Sequence, residues 1–134
     1  MPVHELKIPV SFGDCDPAGI VYYPNFYRWF DRTFHNWLRT MGGHAALCET
    51  LGLVGIGLME TDARFRRPVR DGDDLRLTME IESWGNKTLH LGYSGWVNDI
   101  EVLEGTEVRG LFKPVETGIV AEKMSAFREL VEAH

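Results

Sequence analysis

The sequence predicts an α+β domain in which an antiparallel sheet curves round one long helix. Three observations carry that prediction. Phe26, Trp29, Phe30, Phe34, Trp37, Leu38 and Met41 recur at the 3, 4 and 7 spacings of a helix. Projected at about 100° per residue they cover roughly half the helix circumference, whereas a surface helix needs an apolar stripe of only about 100°. The rest of the chain reads mainly as strands with one apolar and one polar face, as in a sheet solvated on its outer side.

Val3 to Phe12 has β character, and Gly13, Pro17 and Gly19 make the following stretch a loop. Pro24 suits the first helical position, where its missing N–H is no loss, and Gly42-Gly43 ends the helix. His44 to Leu51 is a short helical turn closed by Gly52. Leu53 to Arg67 is a strand, followed by the punctuation of Pro68 and Asp71-Gly72-Asp73. Leu75 to Ser83 alternates most cleanly, with Leu75, Leu77, Met79 and Ile81 on one face and Arg76, Thr78, Glu80 and Glu82 on the other. Gly85-Asn86 turns the chain into a partner strand, Thr88 to Val97, which puts Leu89, Leu91, Tyr93 and Val97 on one face. Asn98-Asp99 turns it again into Val102 to Val115, with an interruption at Gly105. Ser125 caps a short terminal helix reaching His134.

At 134 residues, 44% apolar and 25% charged, the chain has the composition of one globular domain, residues 1–134. A formal net charge of −6 argues against a general nucleic-acid or membrane-surface binder, while a local basic patch for an anionic ligand remains compatible with it. No apolar run approaches the ~18 residues of a membrane span, and no signal peptide is expected in MPVHELK. Cys15 and Cys48 form neither a disulfide framework nor a C-x-x-C pair, so a reduced, cytoplasmic setting is expected.

His4, His35, His44, His90 and His134 are scattered, without metal-ligand spacing, and no phosphate-cradling glycine loop or G-x-S-x-G elbow is present. No metal and no organic cofactor are expected. Cys15 has no histidine nearby in sequence to activate it. Asp14 and Asp16 lie in the turn that feeds the long helix. A carboxylate there can attack an acyl carbon or deprotonate water while the free N–H groups of the first helical turn stabilise an oxyanion. Equally, both aspartates can simply cap turns.

The stretch Phe12-Gly-Asp-Cys-Asp-Pro-Ala-Gly-Ile-Val-Tyr-Tyr-Pro-Asn-Phe-Tyr-Arg-Trp-Phe-Asp31 resembles the signature of hotdog-fold acyl-CoA thioesterases, in particular the 4-hydroxybenzoyl-CoA thioesterase group. The resemblance implies a five- or six-stranded antiparallel sheet wrapped around the long helix. It also implies active sites at a dimer interface, often in a tetramer of two dimers. By position in the motif it implies that Asp16 is the catalytic carboxylate, either nucleophile or general base. The Tyr23 backbone N–H would be the donor to the thioester carbonyl, and Asp14 a structural residue bonding turn amides. Asp31 matches the helix aspartate that accepts a hydrogen bond from the substrate's phenolic hydroxyl. On the helix wheel it borders the apolar face beside His35 and Leu38, and it can alternatively be an exposed charge paired with His35 or Arg28.

The family places cations for the phosphates of coenzyme A in the turn matching Trp84 to Thr88. Lys87 keeps one, but Gly85 and Asn86 stand where the family can have arginines. In the cluster Arg64, Arg66, Arg67 and Arg70 around Pro68, Arg64 and Arg67 are the expected substitutes. Trp84 and Trp96 read as core packing. The expected function is hydrolysis of an aromatic acyl-CoA to acid and free CoA. An aliphatic short- or medium-chain acyl-CoA thioesterase and a non-catalytic acyl-CoA-binding module are the alternatives.

Overall fold

The aromatic stripe folds as α1, Pro24–Arg39, in a computed structural model that describes residues 1–134. Pro24 occupies the first helical position. The chain leaves through Gly42 and Gly43, both at positive φ, and the Gly43 N–H closes the helix on the Leu38 carbonyl. Phe26, Trp29, Phe30, Phe34, Trp37 and Leu38 are all buried. Two eight-residue helices accompany it, α2 at His44–Leu51 and α3 at Ser125–Glu132.

Six strands form one antiparallel sheet: β1 (His4–Pro9), β2 (Gly55–Phe65), β3 (Asp74–Trp84), β4 (Leu89–Val97), β5 (Ile100–Val115) and β6 (Gly118–Glu122). Their order is β1-β3-β4-β5-β2, and β6 pairs with the part of β5 that runs on beyond β4. Leu75, Leu77 and Met79 of β3, Leu89, Leu91 and Tyr93 of β4, and Leu103 and Leu111 of β5 share one core with the apolar face of α1.

The seat of the helix is a glycine. A Cβ at Gly105 would lie 2.5 Å from carbons of the Phe30 ring, so only glycine lets that ring reach the sheet. There Phe30 stacks on Tyr93 with centroids 4.6 Å apart. Gly105 therefore does not interrupt β5, as its position in the sequence suggested; it stays paired with both Ala63 and Tyr93.

Three further boundaries differ from the sequence reading. β1 stops at Pro9, and residues 12–14 form a 3-10 turn that leaves Phe12 79% exposed. β6 was not anticipated; Gly118, at φ 145°, turns the chain back for it. Ser125 is the first residue of α3 and not its cap. The preceding Met124 gives its N–H to the Asn86 carbonyl at 2.8 Å, which docks α3 on the β3–β4 turn. Trp84 accordingly packs on Phe127 of α3, while Trp96 lies under the Arg76 guanidinium.

β2 is a sheet edge with a bulge between Leu58 and Glu60. Leu58, Met59 and Phe65 on it are about half exposed. No helix is long and apolar enough to cross a membrane.

Candidate active site

The turn entering α1 is held by its own polar groups. Asp14 Oδ2 accepts the Ser11 N–H at 2.9 Å, and the Asp14 carbonyl accepts both the Tyr22 N–H and the Asn25 side-chain amide, each at 2.9 Å. This locks the turn to the first helical residues. Asp16 Oδ1 accepts the Ala18 N–H at 2.8 Å, the local bond that Asp makes readily in turns, and Oδ2 has no protein partner. The tip closes through Gly19, at φ 80°, whose N–H reaches the Asp16 carbonyl. The turn is then tied to the β2–β3 connection by the Val21 N–H on the Val69 carbonyl, 2.8 Å, and by a bridge from Ile20 to Arg70.

At the helix start, Pro24 has no N–H, and the N–H groups of Asn25 and Phe26 are taken by the Tyr22 and Tyr23 carbonyls. The Tyr23 N–H donates to no protein acceptor. It is an open backbone donor at the positive end of the helix dipole. Beside it lies an apolar cleft of about 280 Å³, with Tyr23, Phe26, Phe65 and Arg67 in its wall.

Asp31 lies eight residues along α1, about 12 Å further and about 80° round the axis by helix geometry. Its Oδ1 takes Arg109 Nη2 at 3.0 Å and stands 3.5 Å from His35 Nε2, while Arg28 turns to Asn25 instead. His35 is not a firm cation there. Burial holds its imidazole below the usual range, with Arg109, His44 and Arg39 acting in the same sense, and the Asp31 charge only partly offsets them. Oδ2 of Asp31 has no protein partner.

Arg109 opens a buried network that the sequence reading missed. It forks onto Glu107 through Nε and Nη2 at 3.0 and 2.9 Å, Tyr93 donates to Glu107 at 2.7 Å, and the guanidinium lies 4.1 Å over the Phe34 ring. Burial raises the Glu107 carboxyl above its usual range even though Arg109 and Tyr93 pull it down. Alternation could not place these charges inside, because both faces of β5 mix apolar and charged residues: Val102, Glu104 and Val108 on one, Leu103, Glu107, Arg109 and Leu111 on the other.

The expected coenzyme A cations do not form one patch. Arg67 lines the cleft beside Tyr23 and has no carboxylate partner, but Arg64 lies in a groove on the outer sheet face among Asp62, Glu80, Glu82 and Glu104. Arg66 is occupied by Glu104 at 2.7 Å and Glu101 at 3.5 Å. Lys87 is exposed in the β3–β4 turn at the far end of the sheet. Arg64 is level with Glu104 and Leu89 with Arg109, so the offset along β5 is about 17 Å at ~3.4 Å per residue. The Met124 to Asn86 bond brings Lys123 to that turn instead, and Arg128 lies over Trp84.

Neither cysteine is set up as a nucleophile. The Cys15 thiol faces the Ser11 carbonyl, and burial pushes the Cys48 thiol up although His44 is within 3.7 Å. No three His, Cys, Asp or Glu side chains converge as metal ligands.

Residues 10–102 match the family model of the thioesterase-like superfamily, and the chain belongs to that superfamily. Its sheet and helices have the hotdog architecture of the solved thioesterases it resembles. The 4-hydroxybenzoyl CoA thioesterase of Pseudomonas sp. strain CBS-3 superposes with a TM-score of 0.82 at 26% identity, covering 94% of this chain and 96% of that one. In sequence, the 4-hydroxybenzoyl-CoA thioesterase from that organism is 34% identical over 82 residues, 59% of this chain and 57% of the relative's length. A 1,4-dihydroxy-2-naphthoyl-CoA hydrolase from Synechococcus sp. (strain CC9311) is 28% identical over 109 residues, 75% of this chain and 71% of its own. The aligned segment thus spans little more than half of the Pseudomonas relative.

Proposed function

We propose that this protein is an acyl-CoA thioesterase that hydrolyses a ring-hydroxylated aromatic acyl-CoA to the acid and free CoA, with Asp16 as its catalytic carboxylate. The observation that carries the reading is the open N–H of Tyr23 at the start of α1, a residue that lines an apolar cleft and follows a turn whose Asp16 has one oxygen unpartnered. The thioester carbonyl oxygen binds that N–H, which stabilises the charge that develops on it. Asp16 then acts in one of two ways. As nucleophile it bonds to the carbonyl carbon, the CoA thiolate leaves and takes up a proton, and water hydrolyses the mixed anhydride. As general base it takes a proton from the water that attacks the same carbon, and the thiolate leaves with a proton.

Asp31 supports an aromatic, hydroxylated acyl group. The helix rise of about 12 Å from Tyr23 to Asp31 is of the order of an aromatic acyl group with a hydrogen bond at each end. The relatives named above act on 4-hydroxybenzoyl and 1,4-dihydroxy-2-naphthoyl thioesters, both of which carry ring hydroxyls. Arg67, Lys87 in the β3–β4 turn and Lys123 beside that turn are candidates for the phosphates of CoA, whereas Arg128 of α3 is occupied by Glu132 at 2.6 Å. The partly apolar β2 edge, with Leu58 and Met59 half exposed, is where a second copy would add its own edge.

The test is thiol release from 4-hydroxybenzoyl-, 1,4-dihydroxy-2-naphthoyl-, benzoyl-, butyryl- and hexanoyl-CoA. We expect a kcat/KM of about 10⁴ M⁻¹s⁻¹ or more for a hydroxyaryl thioester, well above the others. Fastest release from butyryl- or hexanoyl-CoA would move the substrate to the aliphatic class. Tight acyl-CoA binding without turnover would make the protein a binding module.

A further inference from the structure

The inner face of β5 carries Leu103, Gly105, Glu107, Arg109 and Leu111, so two charged residues occupy core positions flanked by apolar ones. Arg109 and Glu107 are 2% and 1% exposed. A buried ion pair seldom stabilises a fold more than apolar packing of the same volume. Its retention in this core therefore asks for a purpose beyond stability. The pair is also fully tied down: Glu107 receives Tyr93 and both the Nε and Nη2 groups of Arg109, and the guanidinium lies on Phe34. One end of the network comes to the surface. The same Nη2 that binds Glu107 Oε2 also binds Asp31 Oδ1 at 3.0 Å, and the Asp31 side chain is 54% exposed with Oδ2 unpartnered.

We propose that Arg109 is a positioning residue for substrate selection: fixed from behind by Glu107, which Tyr93 holds in turn, it grips one oxygen of Asp31 and leaves the other to accept a hydrogen bond from a ring hydroxyl of the acyl group. This rests on the reading of Asp31 given above. A carboxylate free to rotate accepts from water as readily as from a substrate. One held by a guanidinium whose own rotamer is locked in the core presents a fixed acceptor. A fixed acceptor left unpaired by a substrate without the hydroxyl is what gives strong discrimination.

The experiment is a double-mutant cycle of Arg109→Lys and Asp31→Asn, reading kcat and KM separately for 4-hydroxybenzoyl-CoA and benzoyl-CoA. Lysine keeps a cation for Glu107 but loses the fork that reaches both carboxylates. Asp31→Asn is expected to lower the hydroxyl preference by about 10- to 100-fold, the worth of a hydrogen bond to a charged group, and Arg109→Lys by about tenfold. The double variant should match Asp31→Asn alone, because Arg109 acts through Asp31. Additive losses, or an unchanged preference in Arg109→Lys, would overturn the proposal.

A second readout needs no substrate. Arg109 both repels the proton on His35 and competes with it for Asp31 Oδ1. In a Glu107→Gln, Arg109→Gln variant the NMR-monitored titration of His35 should therefore move to higher pH. Arg109→Lys serves in its place if the neutral pair loosens the fold, with a smaller upward shift expected. An unmoved His35 would mean that Arg109 does not hold Asp31, which sinks the inference. A shifted His35 with no hydroxyl preference in the unmodified protein would instead sink the substrate reading while keeping the Arg109 to Asp31 coupling.

Discussion

The turn before α1 and the network behind Asp31 each hold a carboxylate, but they do so over different distances in sequence and at different depths. Asp14 and Asp16 are fixed by Ser11 and Ala18, three and two residues away, in contacts open to water. Asp31 is fixed by Arg109, 78 residues away, Arg109 in turn by Glu107, and Glu107 by Tyr93, where water does not reach. A local, solvated hydrogen bond is replaced by water when it is lost. A buried charge that loses its partner has no replacement and bears the full desolvation penalty. The turn can therefore change its chemistry at little structural cost, whereas the network is coupled to the stability of the core.

Substitutions in the two regions should separate along that line. Asp16→Asn keeps the acceptor for Ala18 and is expected to lower kcat by about 10²- to 10⁴-fold. Its unfolding free energy should stay within about 0.5 kcal/mol of the parent. Thiol release and a denaturant melt on the same sample check both halves, and near-normal turnover would remove Asp16 from the mechanism.

Arg109→Met should do the reverse and destabilise the fold by about 3–5 kcal/mol, because Glu107 is left buried and unpaired. Adding Glu107→Leu should recover much of that loss. If the single variant unfolds like the parent in urea, the network is not coupled to the core as described.

Tyr93→Phe sharpens the comparison through pH. Burial first, then the charge of Glu107 and the hydrogen bond to it, push the Tyr93 phenol well above its usual value near 10. The folded protein keeps this proton where the unfolded chain has lost it. The corresponding stability is full below about pH 10 and falls as the pH rises beyond it. Tyr93→Phe should cost about 1–3 kcal/mol at neutral pH, since a Glu107 oxygen loses a donor, and should weaken the alkaline decline. Thermal melts across pH 7 to 11 read both effects. The smallest change is expected for Asp14→Ala: about 1 kcal/mol, the scale of a lost cap, with the loosened turn lowering turnover more than stability. A loss of several kcal/mol there would show that the turn is part of the core after all.

The contrast also explains which parts were legible in the sequence. α1, α2, the β3–β4 pair and the Asn98-Asp99 turn are written in local periodicity and turn residues, and the structure has them within a few positions. The acidic motif was legible for the same reason, since its bonds join neighbours. β6 carried no clear alternation and exists because the free length of β5 pairs with it. Gly105 read as a break because glycine weakens strands in general; in the fold it is the opening that Phe30 fills.

Arg64 and Arg67 looked equivalent in sequence. The twofold alternation of an extended chain sends Arg64 to the outer face, among acidic groups, and Arg67 lies past the end of β2 in the wall of the cleft. Arg109 is the fullest case. Nothing near it in sequence mentions Asp31, and its charge at an inner position contradicts the usual pattern of a strand. By itself, then, the sequence determined the elements other than β6, the family signature and the turn that carries Asp16, because these depend on residues a few positions apart. Only the tertiary structure decided which oxygen of Asp31 is held, which arginine meets the cleft and that two charges lie in the core. Those depend on strand register and on the burial of groups brought together from distant parts of the chain.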